Sequence, residues 1–192
     1  MTKGWGHSLY TDALRLAMEA KVKRFGLFHH NQDRTDKPWV EFTQRFQQEA
    51  RIIAKLEHAH ILPVFDYGEN EGIAYFVMRY LEAGTLKNQM EKGPLPLREI
   101  DRLFTQLADA LSYAHSQGVI HRDLKPSNAL IDSRGNLFLT DFGIAKILAS
   151  ASPRLTQTDA IMGTPAYISP EQAQAQKVDQ RSDIYSLGII LY

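Results

Sequence analysis

The sequence predicts an α+β protein, with strands gathered toward the front of the chain and helices toward the back. Three observations carry that prediction. Two short apolar runs, "HILPVFDYG" and "IAYFVMRYL", flank the turn signal "ENEG" and read as paired strands. They are followed by "PLREIDRLFTQLADALSYAHSQG", which has helical periodicity. Beyond it, charged residues concentrate in loops beside short apolar pieces, "VIHRDLKPSNALI" and "LFLTDFG". The 192 residues suffice for one domain or for two small lobes sharing a cleft.

Taken in order, the N-terminal "GWGHSLY" holds two glycines two apart, a fragment too common to identify a phosphate loop by itself. "AKVKRF" has the period-two alternation of a short strand. From Val40 the pattern turns helical, and Phe46, Ala50, Ile53 and Leu56 fall on one face. In the long helix, Ile100, Phe104, Leu107, Leu111 and Ala114 are expected to face a core, with Gly118 as the stop. The last stretch, "SDIYSLGIILY", is apolar almost all round and predicts a helix buried at the centre of a domain. "FHHNQDRTDKPW" and "ASASPRLTQTD" are the least core-like segments.

Composition narrows the function classes. Lys plus Arg and Asp plus Glu both number 22, so no charge excess favours nucleic acid or an anionic membrane as the main partner. There is no cysteine, which excludes disulfides and thiolate metal sites and accords with a reducing, cytoplasmic setting. No stretch approaches the roughly 18 consecutive apolar residues of a membrane span, and the N-terminus lacks the apolar core of a signal peptide.

Chemistry shows most clearly in "HRDLKPSN" (His121 to Asn128) and "DFG" (Asp141 to Gly143), joined by "GTPAYISPE" (Gly163 to Glu171) and "DIYSLG" (Asp183 to Gly188). With these four ordered motifs the chain resembles the protein kinases, specifically the bacterial serine/threonine kinases of the eukaryotic-like family, over nearly its whole length. The resemblance implies a bilobal fold. A small antiparallel β lobe with one main helix would occupy residues 1–78, a hinge 79–81, and a mostly helical large lobe 82–192. It further implies ATP and Mg²⁺ (or Mn²⁺) as cofactors, and proteins bearing Ser or Thr as substrates.

Physical chemistry agrees with that implication. Phosphoryl transfer needs a metal on the triphosphate, a cation on the migrating group and an acceptor for the hydroxyl proton. Magnesium takes oxygen ligands, and Asp141 and Asn128 supply them on neighbouring loops. By the resemblance, Asp123 accepts the substrate proton and Lys125 contacts the γ-phosphate. Lys125 two residues after Asp123 is the serine/threonine form of this loop.

Glu49 would ordinarily be a solvated helix glutamate, but it lies three residues after Phe46 and four before Ile53, close to the apolar face. A carboxylate there calls for a cation. "RFQQEA" resembles the kinase helix whose glutamate pairs with a strand lysine. Lys21 and Lys23 are both candidates; Lys23, after Val22 and two before Phe25, fits the V-A-I-K pattern better, although Lys21 then stands where the family has a small residue.

The same resemblance makes Met78, in "YFVMRYLEAG", the gatekeeper, with Arg79 to Leu81 as the hinge and Leu130 joining the adenine site. Ile53, Val64, His121 and Phe142 would form an apolar stack between lobes, anchored by Asp183. Arg122 is expected to meet a phosphate on the activation segment, where "LTQTDAIMGT" offers Thr156 and Thr158. Thr164 is expected to hydrogen-bond Asp123 and Lys125. Autophosphorylation between two copies would make a kinase–kinase dimer a partner.

The chain departs from the family in two places. In one register of "GWGHSLY", Gly4 is the middle glycine of the phosphate loop and Leu9 takes the place of the usual valine. In the other, Gly4 and Gly6 are the first two glycines and Leu9 stands at the third. Either way a side chain intrudes on the backbone approach to phosphate. The chain also stops at Tyr192 inside the central helix, which predicts an exposed apolar patch and leaves Glu171 without its usual arginine. These departures keep a second reading open, a catalytically impaired pseudokinase-like module that binds nucleotide or a partner. A small-molecule phosphotransferase is disfavoured by "GTPAYISPE", which resembles the peptide-binding part of protein kinases.

Overall fold

The computed structural model describes residues 24–29, 46–70, 73–143 and 165–192. Three antiparallel strands open it: β1 (Arg24–His29), β2 (Val64–Asn70) and β3 (Ile73–Met78). β3 is central, pairing with β1 from Arg24 opposite Met78 to His29 opposite Ile73, and with β2 on its other edge. The β2–β3 ladder continues to Asn70 opposite Ile73, so Glu69 and Asn70, expected in the turn, belong to the strand. At its other end the register shifts between Val64 and Asp66, a bulge that leaves Phe65 60% exposed.

Helix α1 (residues 46–53) lies against this sheet. Phe46 and Ala50 are buried with Phe76, and the Phe46 and Phe76 rings meet edge to face at 5.2 Å. Leu56 is buried as predicted but lies beyond the helix end, in a different cluster. Ile53 packs against both clusters and so connects them.

The chain then docks onto the helical part through backbone hydrogen bonds. Leu62 N donates to Leu139 O (2.9 Å), and Leu139 N donates to His60 O (2.8 Å). Residues 60–63, expected at the start of a strand, instead form this junction, because their backbone groups are taken by Leu139 rather than by β3. His60 Nδ1 lies 3.0 Å from Leu137 O, and Glu57 N donates to the Tyr113 hydroxyl oxygen at 3.3 Å.

Helix α2 (Leu86–Met90) starts at a Thr85/Asn88 capping box. Helix α3 (Leu97–Ser116) is the main helix of this part and ends before Gly118, whose φ of 74° suits glycine. Its buried residues are Leu103, Leu107, Ala110, Leu111 and Ala114. The predicted face is therefore corrected: Ile100 and Phe104 are only partly buried, whereas Leu103 and Ala110 are inside. The helix packs on one side against the hairpin of β4 (Ala129–Ile131) and β5 (Leu137–Leu139), and elsewhere against the last helix, which rotates the apolar stripe.

Two short helical pieces follow, a 3₁₀ turn at Pro165–Tyr167 and α4 (Pro170–Ala173), before α5 (Gln180–Leu191). α5 buries Ser182, Asp183, Ser186 and Leu187. The expectation of burial all round is overturned: Ile184, Tyr185 and Leu191 are about half exposed, while among the described residues α3 and the 165–167 turn pack against the helix. The exposed apolar patch expected at this end is present.

Candidate active site

The site grows from the loop between α3 and β4. A 3₁₀ turn, Pro126–Asn128, folds the chain back so that Asn128 reaches Asp123. Asn128 Nδ2 donates to Asp123 O (2.9 Å) and to Asp123 Oδ2 (3.2 Å). Lys125 Nζ donates to the same Oδ2 at 2.7 Å, as a half-buried ion pair. Two donors thus converge on one carboxylate oxygen, Oδ2, while among the described residues Oδ1 receives no such hydrogen bond.

Asp141 is brought beside this loop by the backbone. Thr140 N donates to Asn128 O (3.0 Å), so the residue after Thr140 emerges next to the Asn128 turn. Asp141 is exposed and adopts φ 60°, a left-handed conformation uncommon for a non-glycine residue. Gly143 must be glycine: its N–H donates to His121 O at 2.7 Å, and a Cβ there would stand 2.7 Å from that oxygen. Phe142 is buried with its ring 4.8 Å from the His121 ring, in the cluster against which Ile53 packs. Val64 packs in the neighbouring cluster that also includes Ile53. Ile53 is thus common to the clusters of Phe142 and of Val64, and the His121 ring adjoins Phe142.

Beneath the loop lies Asp183, 1% exposed. Its Oδ2 accepts from His121 N (2.8 Å) and lies 2.7 Å from His115 Nε2; its Oδ1 accepts from Arg122 N (2.8 Å). Burial alone would raise the carboxyl's pKa, but the hydrogen bond from His115, the nearby His121 and the two backbone donors outweigh it and hold the pKa below the usual carboxylate value. His121, fully buried with Nε2 2.9 Å from Thr140 O, is pushed the other way from a typical histidine: desolvation lowers its pKa despite the carboxylates around it.

Both shifts act in the same direction on acidification. Below the ordinary histidine value of 6.5, the unfolded His121 takes up a proton that the buried ring resists. Below 3.8, the same holds for Asp183. The unfolded state binds more protons in each window, so stability is lost as pH falls. The expected slope is up to about 1.4 kcal/mol per pH unit for each proton involved. Urea unfolding at about pH 7.5 and about pH 5 tests this, with a lower midpoint expected at the acid value; equal midpoints would contradict a neutral buried His121.

The other predicted residues distribute as follows. Met78 ends β3 and packs between two apolar clusters, one of them formed by Leu62, Leu81 and Leu130. Thr140 Oγ1 approaches Met78 Sδ at 3.6 Å. Arg79 is exposed and Leu81 is buried. Arg122 is partly buried with φ 64°. Glu49 is half-buried on α1. Gly4, Gly6, Leu9, Lys21, Lys23, Thr156, Thr158 and Thr164 lie outside the described residues. Glu171, expected to lack its usual arginine, accepts a hydrogen bond from the Ser182 hydroxyl, which holds its carboxyl below the ordinary range.

Two residues beside the site were not anticipated. His115 braces Asp183; its signal was a histidine in the last helical turn, which reads equally well as a cation placed against the helix dipole. Gln172 donates from Nε2 to Arg122 O at 2.7 Å; its signal was the S-x-x-Q spacing of "SPEQ". Among the described residues no three His, Asp or Glu side chains cluster as a self-contained metal site. No described helix is long and apolar enough to cross a membrane.

Comparison with known proteins places this geometry. The family model "Protein kinase domain" matches residues 21–192. The serine/threonine-protein kinase PrkC of Bacillus subtilis is 42% identical over 153 residues, covering 79% of this chain and 23% of PrkC. The serine/threonine-protein kinase PknB of Mycolicibacterium smegmatis is 42% identical over 156 residues, covering 79% of this chain and 25% of that protein. This chain therefore spans about a quarter of the length of these relatives. Among solved structures, the PknI kinase domain of Mycobacterium tuberculosis superposes with a TM-score of 0.65 at 32% identity, covering 86% of this chain and 60% of that one. The bilobal kinase architecture of these neighbours accounts for the small sheet, the α1 contact and the helical part with its Asp123 loop. The chain belongs to the protein kinase domain family, among the bacterial eukaryotic-like serine/threonine kinases.

Proposed function

We propose that this chain is the catalytic portion of an ATP- and magnesium-dependent protein serine/threonine kinase, transferring the γ-phosphoryl group of ATP to Ser and Thr hydroxyls of proteins. The observation that carries this reading is the convergence of Lys125 and Asn128 on Oδ2 of Asp123, with Asp141 emerging alongside. Asp123 is thereby held with one oxygen engaged and the other available to accept the hydroxyl proton. Lys125, already close to that carboxylate, supplies the positive charge for the migrating group.

The donor set suits magnesium. Asn128 turns both amide hydrogens toward Asp123, and among the described residues its side-chain oxygen has only a 3.5 Å contact from Ser127 Oγ. The exposed carboxylate of Asp141 adds further oxygens, and one or two such side chains together with substrate phosphates are the usual magnesium environment. Magnesium, when bound, neutralises charge on the triphosphate. Leu81 and Leu130, packed with Met78, supply an apolar surface suited to an adenine ring, and the backbone of residues 79–81 is assigned to its polar edge.

In this reading residues 1–78 form the small lobe, 79–81 the hinge and 82–192 the large lobe. Lys23 pairs with Glu49, and the glycine loop around Gly4, Gly6 and Leu9 covers the phosphates. Thr164 bonds Asp123 and Lys125, and Thr156 and Thr158 accept phosphate from a second copy, with Arg122 as its docking cation. A cytoplasmic location accords with the absence of cysteine. The non-catalytic alternative is not favoured, because Asp123, Asn128 and Asp141 are all present and lie on adjoining loops.

Incubating the chain with γ-labelled ATP, Mg²⁺ and a generic protein substrate tests the proposal. Label is expected on phosphoserine and phosphothreonine and is expected to vanish with a chelator. ATP binding without any transfer would assign the chain to nucleotide binding alone.

A further inference from the structure

Gln172 sits in the first turn of α4, 50 residues from the catalytic loop, yet its side-chain amide is used at both ends. Oε1 accepts from Ser169 N (3.2 Å) and from Ser169 Oγ (3.3 Å), while Gln172 N donates to Ser169 Oγ (3.4 Å). Those bonds close the capping box that starts α4, on a Ser169 that is wholly buried. The remaining end, Nε2, donates to the carbonyl oxygen of Arg122 at 2.7 Å.

That carbonyl belongs to the peptide unit whose N–H is Asp123's, and this N–H points to His121 Nδ1 at 3.3 Å. On the other side, Arg122 N is held by Asp183 Oδ1 at 2.8 Å. Arg122 occupies φ 64°, a conformation that relaxes unless its flanking peptides are fixed. Asp183 fixes the peptide before it, and Gln172 fixes the peptide after it, from which the Asp123 side chain departs. The same peptide also makes the longer contact from Asp123 N to His121 Nδ1, at 3.3 Å.

We propose that Gln172 is a positioning residue for Asp123: its amide couples the docking of α4 to the orientation of the Arg122–Asp123 peptide. The proposal rests on the kinase reading for its catalytic consequence. It also explains why an amide is needed there. A carboxylate could still accept from Ser169 but has no hydrogen for Arg122 O, and an aliphatic side chain could serve neither.

Two substitutions separate the roles. Gln172→Glu keeps the cap and loses the Arg122 bond, placing an oxygen against a carbonyl oxygen. It is expected to lower kcat for peptide phosphorylation about 10- to 100-fold, with KM for ATP within about twofold. Ser169→Ala weakens the cap but keeps the Arg122 bond, and is expected to lower the melting temperature with kcat within about twofold at low temperature. Unchanged kcat in Gln172→Glu, or an equal loss of kcat in Ser169→Ala, overturns the proposal. If the unsubstituted chain transfers no phosphate, the kinase reading fails by itself, and amide hydrogen exchange at residues 121–124 decides this one. Faster exchange in Gln172→Glu then supports the coupling, and unchanged exchange refutes it.

Discussion

Asp123→Asn is expected to lower phosphoryl transfer about 100- to 10,000-fold, with nucleotide affinity within about twofold and little change in melting temperature. The substitution is nearly isosteric, so the surrounding bonds dictate how the amide must lie. Lys125 Nζ and Asn128 Nδ2 both donate to Oδ2. An amide nitrogen at that position would face two donors, so the asparagine oxygen takes it and the NH₂ falls where Oδ1 was. A donor then meets the incoming hydroxyl where an acceptor is required. Single-turnover transfer from labelled ATP measures the loss, with thermal unfolding as the check on fold. Transfer within about threefold of the unsubstituted chain would remove Asp123 from the reaction.

The second large effect is expected of Asp183→Ala, and here it falls on stability as well as activity. Asp183 is almost fully buried and receives Arg122 N, His121 N and the His115 ring. Truncation leaves those groups without their acceptor in a site closed to solvent. The expected cost is on the order of 3–5 kcal/mol, the range for breaking a buried charged network by removing one partner. The loop loses the bond that holds Arg122 at positive φ, so transfer should fall even where the chain remains folded. Chemical denaturation gives the first quantity, and transfer rate per folded molecule gives the second. Loss of activity that merely tracked the folded fraction would deny Asp183 any part in shaping the loop.

The legible part of this protein is the part whose chemistry is local. Asp123, Lys125 and Asn128 lie within one loop, so their spacing already prescribed a shared site, and the fold delivers it. Phe46 and Ala50 were legible because a helix against a sheet needs one apolar stripe. The error in α3 has a steric cause. Ile100 and Phe104 have the larger apolar surfaces and drew the predicted face toward themselves. The packing instead turns Leu103 and Ala110 inward, on a helix that meets both β5 and α5. His115 and Gln172 escaped notice because each has an ordinary local explanation, a helix C-terminal cation and a capping glutamine. Their reach across 68 and 50 residues is fixed only by tertiary structure. The half-exposed face of α5 could not be inferred from hydropathy, which records what a helix could bury rather than what is there to cover it.

Among the described residues three non-glycine positions hold positive φ: Arg122, Asp141 and Ala175. Ala175 follows α4, where a left-handed residue ordinarily ends a helix. The other two are different, for they flank the proposed reaction centre, each a position where glycine would relieve roughly 1 kcal/mol or more of backbone strain. A search for heat-tolerant descendants of this chain, scored on survival of the fold alone, would therefore be drawn to these two sites. It would accumulate sturdier molecules with a blunted centre. Any programme of hardening this protein has to weigh turnover alongside melting temperature at every round, or it will breed out the conformations that make the loop useful.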